Sequence, residues 1–240
     1  MGRVALVTGG TRGIGRAISI ALKAAEYRVV VNYFGNEDAA RQFTAETDIP
    51  SYRFDVSSFA ETDVAMKKIV ADMGPIEILV NNAGIARDTP LHRMTYEQWE
   101  VVIETNLSSC FNTSRAVIES MRDRGFGRIV NIGSMNGQAG QYGQVNYAAA
   151  NSGIHGFTKA LAQEGAARGI TVNAISPGYV DTNMVRSVPQ AVLEKIIARI
   201  PTGRLGRAED IARGVVFLVA DEADFITGAT LSINGGQHMY

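Results

Sequence analysis

Seven short runs of the chain are apolar almost without interruption, and this narrows the possible folds more than any other feature. They are Val4–Thr8, Arg28–Asn32, Ser51–Phe54, Ile76–Val80, Arg128–Ile132, Thr171–Ser176 and Ala229–Ile233. A strand with one wet face alternates apolar and polar residues, whereas a parallel strand covered on both faces does not. Between the runs lie stretches with helical periodicity: Ile14–Ala25, Glu37–Thr47, Ala60–Met73, Tyr96–Arg122, Tyr147–Arg168 and Glu209–Ala220. Strand–helix–strand repetition at this spacing predicts an α/β fold of Rossmann type, a doubly wound parallel sheet of about seven strands with helices on both faces. No linker, charge block or internal repeat divides the chain, so residues 1–240 read as a single cofactor-binding and catalytic domain. The one long irregular stretch runs from Pro177 to about Val188, ahead of a helix near Pro189–Ile200. Residues 177–200 are therefore the expected substrate loop or lid.

Charge and cysteine content remove several classes of function. With 23 basic and 24 acidic side chains the net charge is −1, so the sequence presents no basic surface for nucleic acid or acidic lipid. The single cysteine, Cys110, excludes an intrachain disulfide and fits a reducing compartment. His92, His155 and His238 are scattered, which argues against a metal site. No apolar run approaches the 18 residues of a membrane span, and Val215–Ala220 is among the longest. Strand-like sequence begins by Arg3 and leaves no room for a signal peptide, so a cytoplasmic location is expected.

Chemistry enters first at Thr8-Gly9-Gly10-Thr11-Arg12-Gly13-Ile14-Gly15, between the first strand and the first helix. Glycines there allow a tight turn, close backbone approach to a pyrophosphate, and close packing of helix on strand. The helix N-terminus supplies unpaired N–H groups and partial positive charge to the phosphate. An ordinary tight turn would use glycine too; the position inside a βαβ unit favours the dinucleotide site.

The glycine spacing, with Asn81-Asn82-Ala83-Gly84 after the fourth strand, Asn106, Ser134, Tyr147 and Pro177-Gly178, resembles the short-chain dehydrogenase/reductase family from Val4 to Gly236. Residues Asn136–Gln144, Ser176–Tyr179 and Asn234–Met239 narrow the resemblance to the branch that reduces acetoacetyl-CoA in polyhydroxybutyrate synthesis, close to the 3-oxoacyl-carrier-protein reductases. The resemblance implies NADPH-dependent reduction of acetoacetyl-CoA to (R)-3-hydroxybutanoyl-CoA by a homotetramer. Reduction of a carrier-protein thioester or another small ketone is the alternative of the same class.

It also implies a cofactor site. Gly9, Thr11, Arg12, Gly13, Ile14 and Gly15 would meet the phosphates; Asp55 and Val56 the adenine; Asn82, Ala83 and Gly84 the next part of the cofactor. Pro177, Gly178 and Thr182 would lie at the nicotinamide, where Tyr147 and Asn151 reach the ribose. The second strand ends Val31-Asn32-Tyr33, without the acid that selects NAD by bonding the ribose 2′-hydroxyl. Arg12, aided by Arg41, would face a 2′-phosphate, which favours NADPH; a solvated loop charge is the plainer reading of Arg12.

The catalytic set implied by the resemblance is Ser134, Tyr147, Asn106 and the residue at position 151. Ser134 would hold the substrate carbonyl, Tyr147 would donate the proton, and Asn106 would order a relay water. Singly, a serine after a strand is usually a cap and a tyrosine at a helix start usually core. Substrate contacts fall on Gln141, Tyr142, Gln144, Gly178 and Tyr179, beside Ser134 and Tyr147, with Asp88 and Arg93 at the mouth facing the CoA portion; the last two also read as ordinary loop residues. One departure stands out. The family has Tyr-x-x-x-Lys, and this chain has Tyr147-Ala148-Ala149-Ala150-Asn151. Asparagine hydrogen-bonds but carries no charge, so slow turnover, or a non-catalytic NADP(H)-binding scaffold, is the alternative this position raises.

Overall fold

The computed structural model describes residues 2–182, 185 and 190–239. Seven strands form one sheet: β1 (Val4–Val7), β2 (Arg28–Tyr33), β3 (Ser51–Arg53), β4 (Ile76–Asn81), β5 (Gly127–Ile132), β6 (Ile170–Pro177) and β7 (Thr230–Ile233). Their order is β3-β2-β1-β4-β5-β6-β7, and every neighbouring pair is parallel. β1 and β6 are buried along their whole length, as the unbroken apolar runs require.

Helices cover both faces. On one side α1 (Gly13–Ala24) packs on α9 (Ala208–Val219) and on the sheet through Ile18, Leu22, Ile211 and Val215. On the other, α3 (Phe59–Met73), α5 (Ser109–Arg124) and α7 (Val145–Ala166) close a second apolar layer through Met66, Ile69, Val117, Met121 and Ala162. The remaining helices are α2 (Glu37–Thr47), α4 (Tyr96–Ile103), a short α6 (Asn136–Ala139) and α8 (Gln190–Ile197).

Two expectations need correction. Tyr96–Arg122 is not one α-helix: a π-helical stretch, Glu104–Ser108, separates α4 from α5. β6 continues through Pro177, which accepts from Met135 N–H, so the irregular stretch starts one residue later. α6 had no sequence signal beyond its glycines. Of the expected lid, residues 183–184 and 186–189 lie outside the described residues, and α8 occupies part of the helix expected near 189–200.

Candidate active site

The strand order reverses between β1 and β4, and ligands of doubly wound sheets bind in the crevice beyond the carboxyl ends at that point. β1 delivers the glycine turn there and β4 delivers Asn82–Gly84. Asn82 Nδ2 donates to the carbonyls of Thr8 (2.9 Å) and Gly9 (3.3 Å), and the N–H groups of Asn82 and Ala83 both donate to Thr8 Oγ1. The two turns are thus stitched into one floor. Gly9 and Gly13 have φ of 61° and 53°, and a Cβ on Gly15 would stand 2.2 Å from Gly9 O. Only glycine fits either demand.

Arg12 is the N-cap of α1 and offers no side-chain bond to the first helical turn. The open N–H groups and positive end of that helix fit an anionic pyrophosphate. Thr11 is buried, Ile14 half-buried, and Thr182 lies against Gly13, its Cγ2 3.9 Å from where a Cβ would sit. Asn32 is buried and structural: it accepts from Gly9 N–H and donates to Phe54 O. Asp55 closes its own turn on Ser57, and Val56 O accepts from Asn112. The two arginines differ. Arg12 is exposed and its side chain makes no hydrogen bond or ion pair among the described residues, whereas Arg41 is paired with Glu37 and Asp38 on its own helix. Those carboxylates sit four and three residues before it, a spacing already visible in the sequence.

Asn106 lies in the π-helical stretch, 4 % exposed. Its amide meets the backbone of Ile85 in both senses, accepting from N–H (2.9 Å) and donating to O (3.0 Å). It therefore anchors the loop that leaves Gly84 with one of its two amide N–H groups. Below the floor runs a buried ladder in which Thr113 donates to Asn81, Asn81 to Asn131, and Asn131 to Thr158. It seats α5 and α7 on the sheet at fixed register.

Ser134 follows β5, and Tyr147 stands in the first turn of α7. Ser134 Oγ accepts from Asn136 N–H, which leaves the hydroxyl proton free to donate. Burial pushes the Tyr147 phenol up; Ser134 draws it back, Asp88 raises it, Asn151 draws it back and Tyr179 raises it. None of these groups is a cation. Asn151 is 3 % exposed, and its Nδ2 donates to the carbonyl of Tyr147 one turn earlier at 2.8 Å. One of its two N–H groups is therefore committed to the helix itself, while the side chain also bonds the Tyr147 phenol.

Around the mouth, Gln144 bonds Asp88, and Thr89 N–H donates to Gly143 O. Asn146, fully buried, donates to the carbonyls of Arg87 and Gln98 and accepts from Tyr147 N–H. Gly178 bonds Ile233 O, while Tyr179 N–H donates to Gln237 Oε1. A Cβ on Gly178 would stand 2.4 Å from that same oxygen. Gln141, Tyr142 and Arg93 project to solvent, and Tyr142 is 84 % exposed. Asn136, Asn146, Gln237 and the Asn81–Asn131 ladder escaped the sequence reading as site-building residues. A recess of about 710 Å³ lined by Arg3, Tyr27, Glu77 and Asp221 lies at the opposite, amino end of the central strands β1, β2 and β4 and belongs to none of this.

The arrangement has the chemistry to cradle a dinucleotide beside a hydroxyl pair, Ser134 and Tyr147, that could hold and protonate a carbonyl oxygen. Residues 9–238 match the family described as "Enoyl-(Acyl carrier protein) reductase". The chain is 63 % identical over 238 residues to the acetoacetyl-CoA reductase of Shinella zoogloeoides and 61 % identical over 239 residues to that of Rhizobium meliloti, with 99 % of each chain covered. The 3-oxoacyl-(acyl-carrier-protein) reductase of Escherichia coli is 46 % identical over 240 residues, covering 99 % of this chain and 98 % of its own. On this fold, these motifs and these relatives, the chain belongs to the short-chain dehydrogenase/reductase family.

Proposed function

We propose that the chain is an NADPH-dependent reductase of acetoacetyl-CoA, forming (R)-3-hydroxybutanoyl-CoA. The observation that carries this is the Tyr147 phenol at the switch-point crevice, held protonated by burial and flanked by Ser134. A phenol that keeps its proton is an acid, as reduction of a ketone requires. The near-full-length acetoacetyl-CoA reductases at 63 % and 61 % identity support the thioester.

A bound nicotinamide would supply hydride to the carbonyl carbon. Gly9, Gly13 and Gly15 with the α1 N-terminus would receive its pyrophosphate, and Arg12 its 2′-phosphate, since Arg41 is already paired. Ser134 donates to the carbonyl oxygen, and Tyr147 donates the proton as charge gathers there. Asn106 keeps the floor of the crevice in place through Ile85. Gln144, Tyr179 and Asp88 line the acyl and mouth regions. Asn151 brings no charge to the phenol, so turnover is slow relative to relatives with lysine. The chain acts in the cytoplasm as a homotetramer of single-domain subunits, within polyhydroxybutyrate synthesis. Among the described residues no helix is long and apolar enough to cross a membrane.

The test compares kcat/KM for acetoacetyl-CoA with that for acetoacetyl-carrier protein, following NADPH at 340 nm. A preference for the CoA thioester supports the proposal. Preference for the carrier-protein thioester would move the chain to the other branch. Cofactor binding without turnover of either would make it a scaffold.

A further inference from the structure

Three hydrogen bonds in series join the acid at the mouth to the serine of the site. Gln144 Nε2 donates to Asp88 Oδ2 at 2.7 Å, Asn136 Nδ2 donates to Gln144 Oε1 at 2.9 Å, and the Asn136 backbone N–H donates to Ser134 Oγ at 3.1 Å. The polarity of this chain is fixed from one end. A carboxylate only accepts, so Asp88 turns the Gln144 amide with its NH₂ outward and its oxygen toward Asn136. That oxygen in turn demands the NH₂ of Asn136. The consequence is visible: Asn136 is 7 % exposed, and its Oδ1 is buried with no partner. An orphaned buried oxygen is costly, and the chain holds Asn136 in this orientation despite it. Gln144 also stands immediately before α7, as its N-cap, so the same bonds tie the Ser134 turn to the helix that carries Tyr147.

We propose that Asn136 is a positioning residue for the reduction: oriented by the charge of Asp88 through Gln144, it holds the turn on which Ser134 presents its hydroxyl to the substrate. Asn136 acts through Ser134. Its backbone N–H occupies one lone pair of Ser134 Oγ, which directs the hydroxyl proton toward the carbonyl oxygen and Tyr147. This rests on the assignment of Ser134 and Tyr147 as the carbonyl-holding pair.

The test reverses the polarity. Asn136→Asp alone sets an acceptor against the Gln144 oxygen, and Asp88→Asn alone removes the group that orients Gln144. In the double variant the new carboxylate accepts from Gln144, and the Gln144 oxygen accepts from the new amide at position 88. Each single variant is expected to lose about tenfold in kcat with acetoacetyl-CoA, with KM for NADPH within about twofold of the parent. The double variant is expected to recover to within about threefold. Losses that multiply in the double variant would overturn the proposal. A second readout needs no substrate. In protein carrying ¹³Cζ-labelled tyrosine, Asn136→Ala should move the Tyr147 titration upward, because Ser134 no longer donates to the phenol. An unmoved titration would overturn the proposal. Asn136→Ser serves in the same measurement where the alanine variant does not fold. If the parent reduces no acetoacetyl-CoA, the functional reading fails by itself and the titration alone decides the role of Asn136.

Discussion

Replacing Asn151 by lysine should move the pH dependence of the reaction and not merely its rate. The Tyr147 phenol is raised by burial, then by Asp88 and Tyr179, and is drawn back only by uncharged groups, Ser134 and Asn151. Residues four apart on a helix face each other across one turn, about 5–6 Å between their Cβ atoms. An ammonium about 5 Å from the phenolate, at an effective dielectric constant near 20, stabilises it by about 3 kcal/mol, or roughly two pKa units. The sign follows from the chemistry. Reduction uses the protonated phenol, so kcat/KM falls as pH rises through the Tyr147 pKa. The parent should hold its plateau far into the alkaline range, and Asn151→Lys should break about two pH units earlier, with a neutral-pH rate at least about tenfold higher. Oxidation of (R)-3-hydroxybutanoyl-CoA uses the phenolate and should rise about a hundredfold at pH 8. The assay is absorbance at 340 nm in both directions from pH 6 to 10.5, with Asn151→Met as the uncharged filler, which removes the hydrogen bond that draws the phenol back and should bring no earlier break. Superimposable profiles for parent and Asn151→Lys would refute the electrostatic reasoning.

Three further outcomes follow from the geometry. Arg12→Ala should weaken NADPH binding by about tenfold or more while leaving NADH binding unchanged, and Arg41→Ala should affect neither; fluorescence titration of the nucleotides checks this, and equal effects of the two variants would contradict it. Asn131→Ala takes the acceptor from the buried Asn81 amide and the donor from the buried Thr158 hydroxyl, so unfolding in urea should become easier by about 2–4 kcal/mol, whereas a loss below about 0.5 kcal/mol would contradict the ladder. His155 is held below the usual imidazole value of 6.5 by burial and then by Lys159. The unfolded chain therefore takes up a proton that the folded one refuses, so stability is full above pH 6.5 and declines as pH falls below it. His155→Gln should flatten that slope in urea midpoints measured between pH 5.5 and 7.5.

Most of this fold is legible in the sequence because buried parallel strands leave an unmistakable pattern. The seven apolar runs became the seven strands, and Glu37–Thr47 coincides with α2 at both ends. The π-helical stretch was hidden because hydrophobic periodicity does not register one extra residue in a turn. The signal available was Asn106 itself, a poor helix former with a buried amide to satisfy. The Thr113–Asn81–Asn131–Thr158 ladder was equally hidden, since asparagine within a strand reads as a blemish until its partner on the next strand is known. Ser134, Tyr147, Gln144 and Asp88 were visible one by one. Their connection was not, because Asn136 reaches Gln144 across a turn whose shape depends on α6, and no local pattern announces a four-residue helix. Arg41 shows the opposite case: its carboxylate partners lie within one helical turn, so that pairing was legible from spacing alone.

The most direct test of the account is a single-turnover experiment with enzyme in excess over acetoacetyl-CoA and NADPH, run for the parent and for Tyr147→Phe. The account expects slow loss of absorbance at 340 nm in the parent, (R)-3-hydroxybutanoyl-CoA as the product, and no loss above background for Tyr147→Phe. Equal rates in the two proteins, or a product of the other hand, would contradict the assignment of Tyr147 as the proton donor in this crevice.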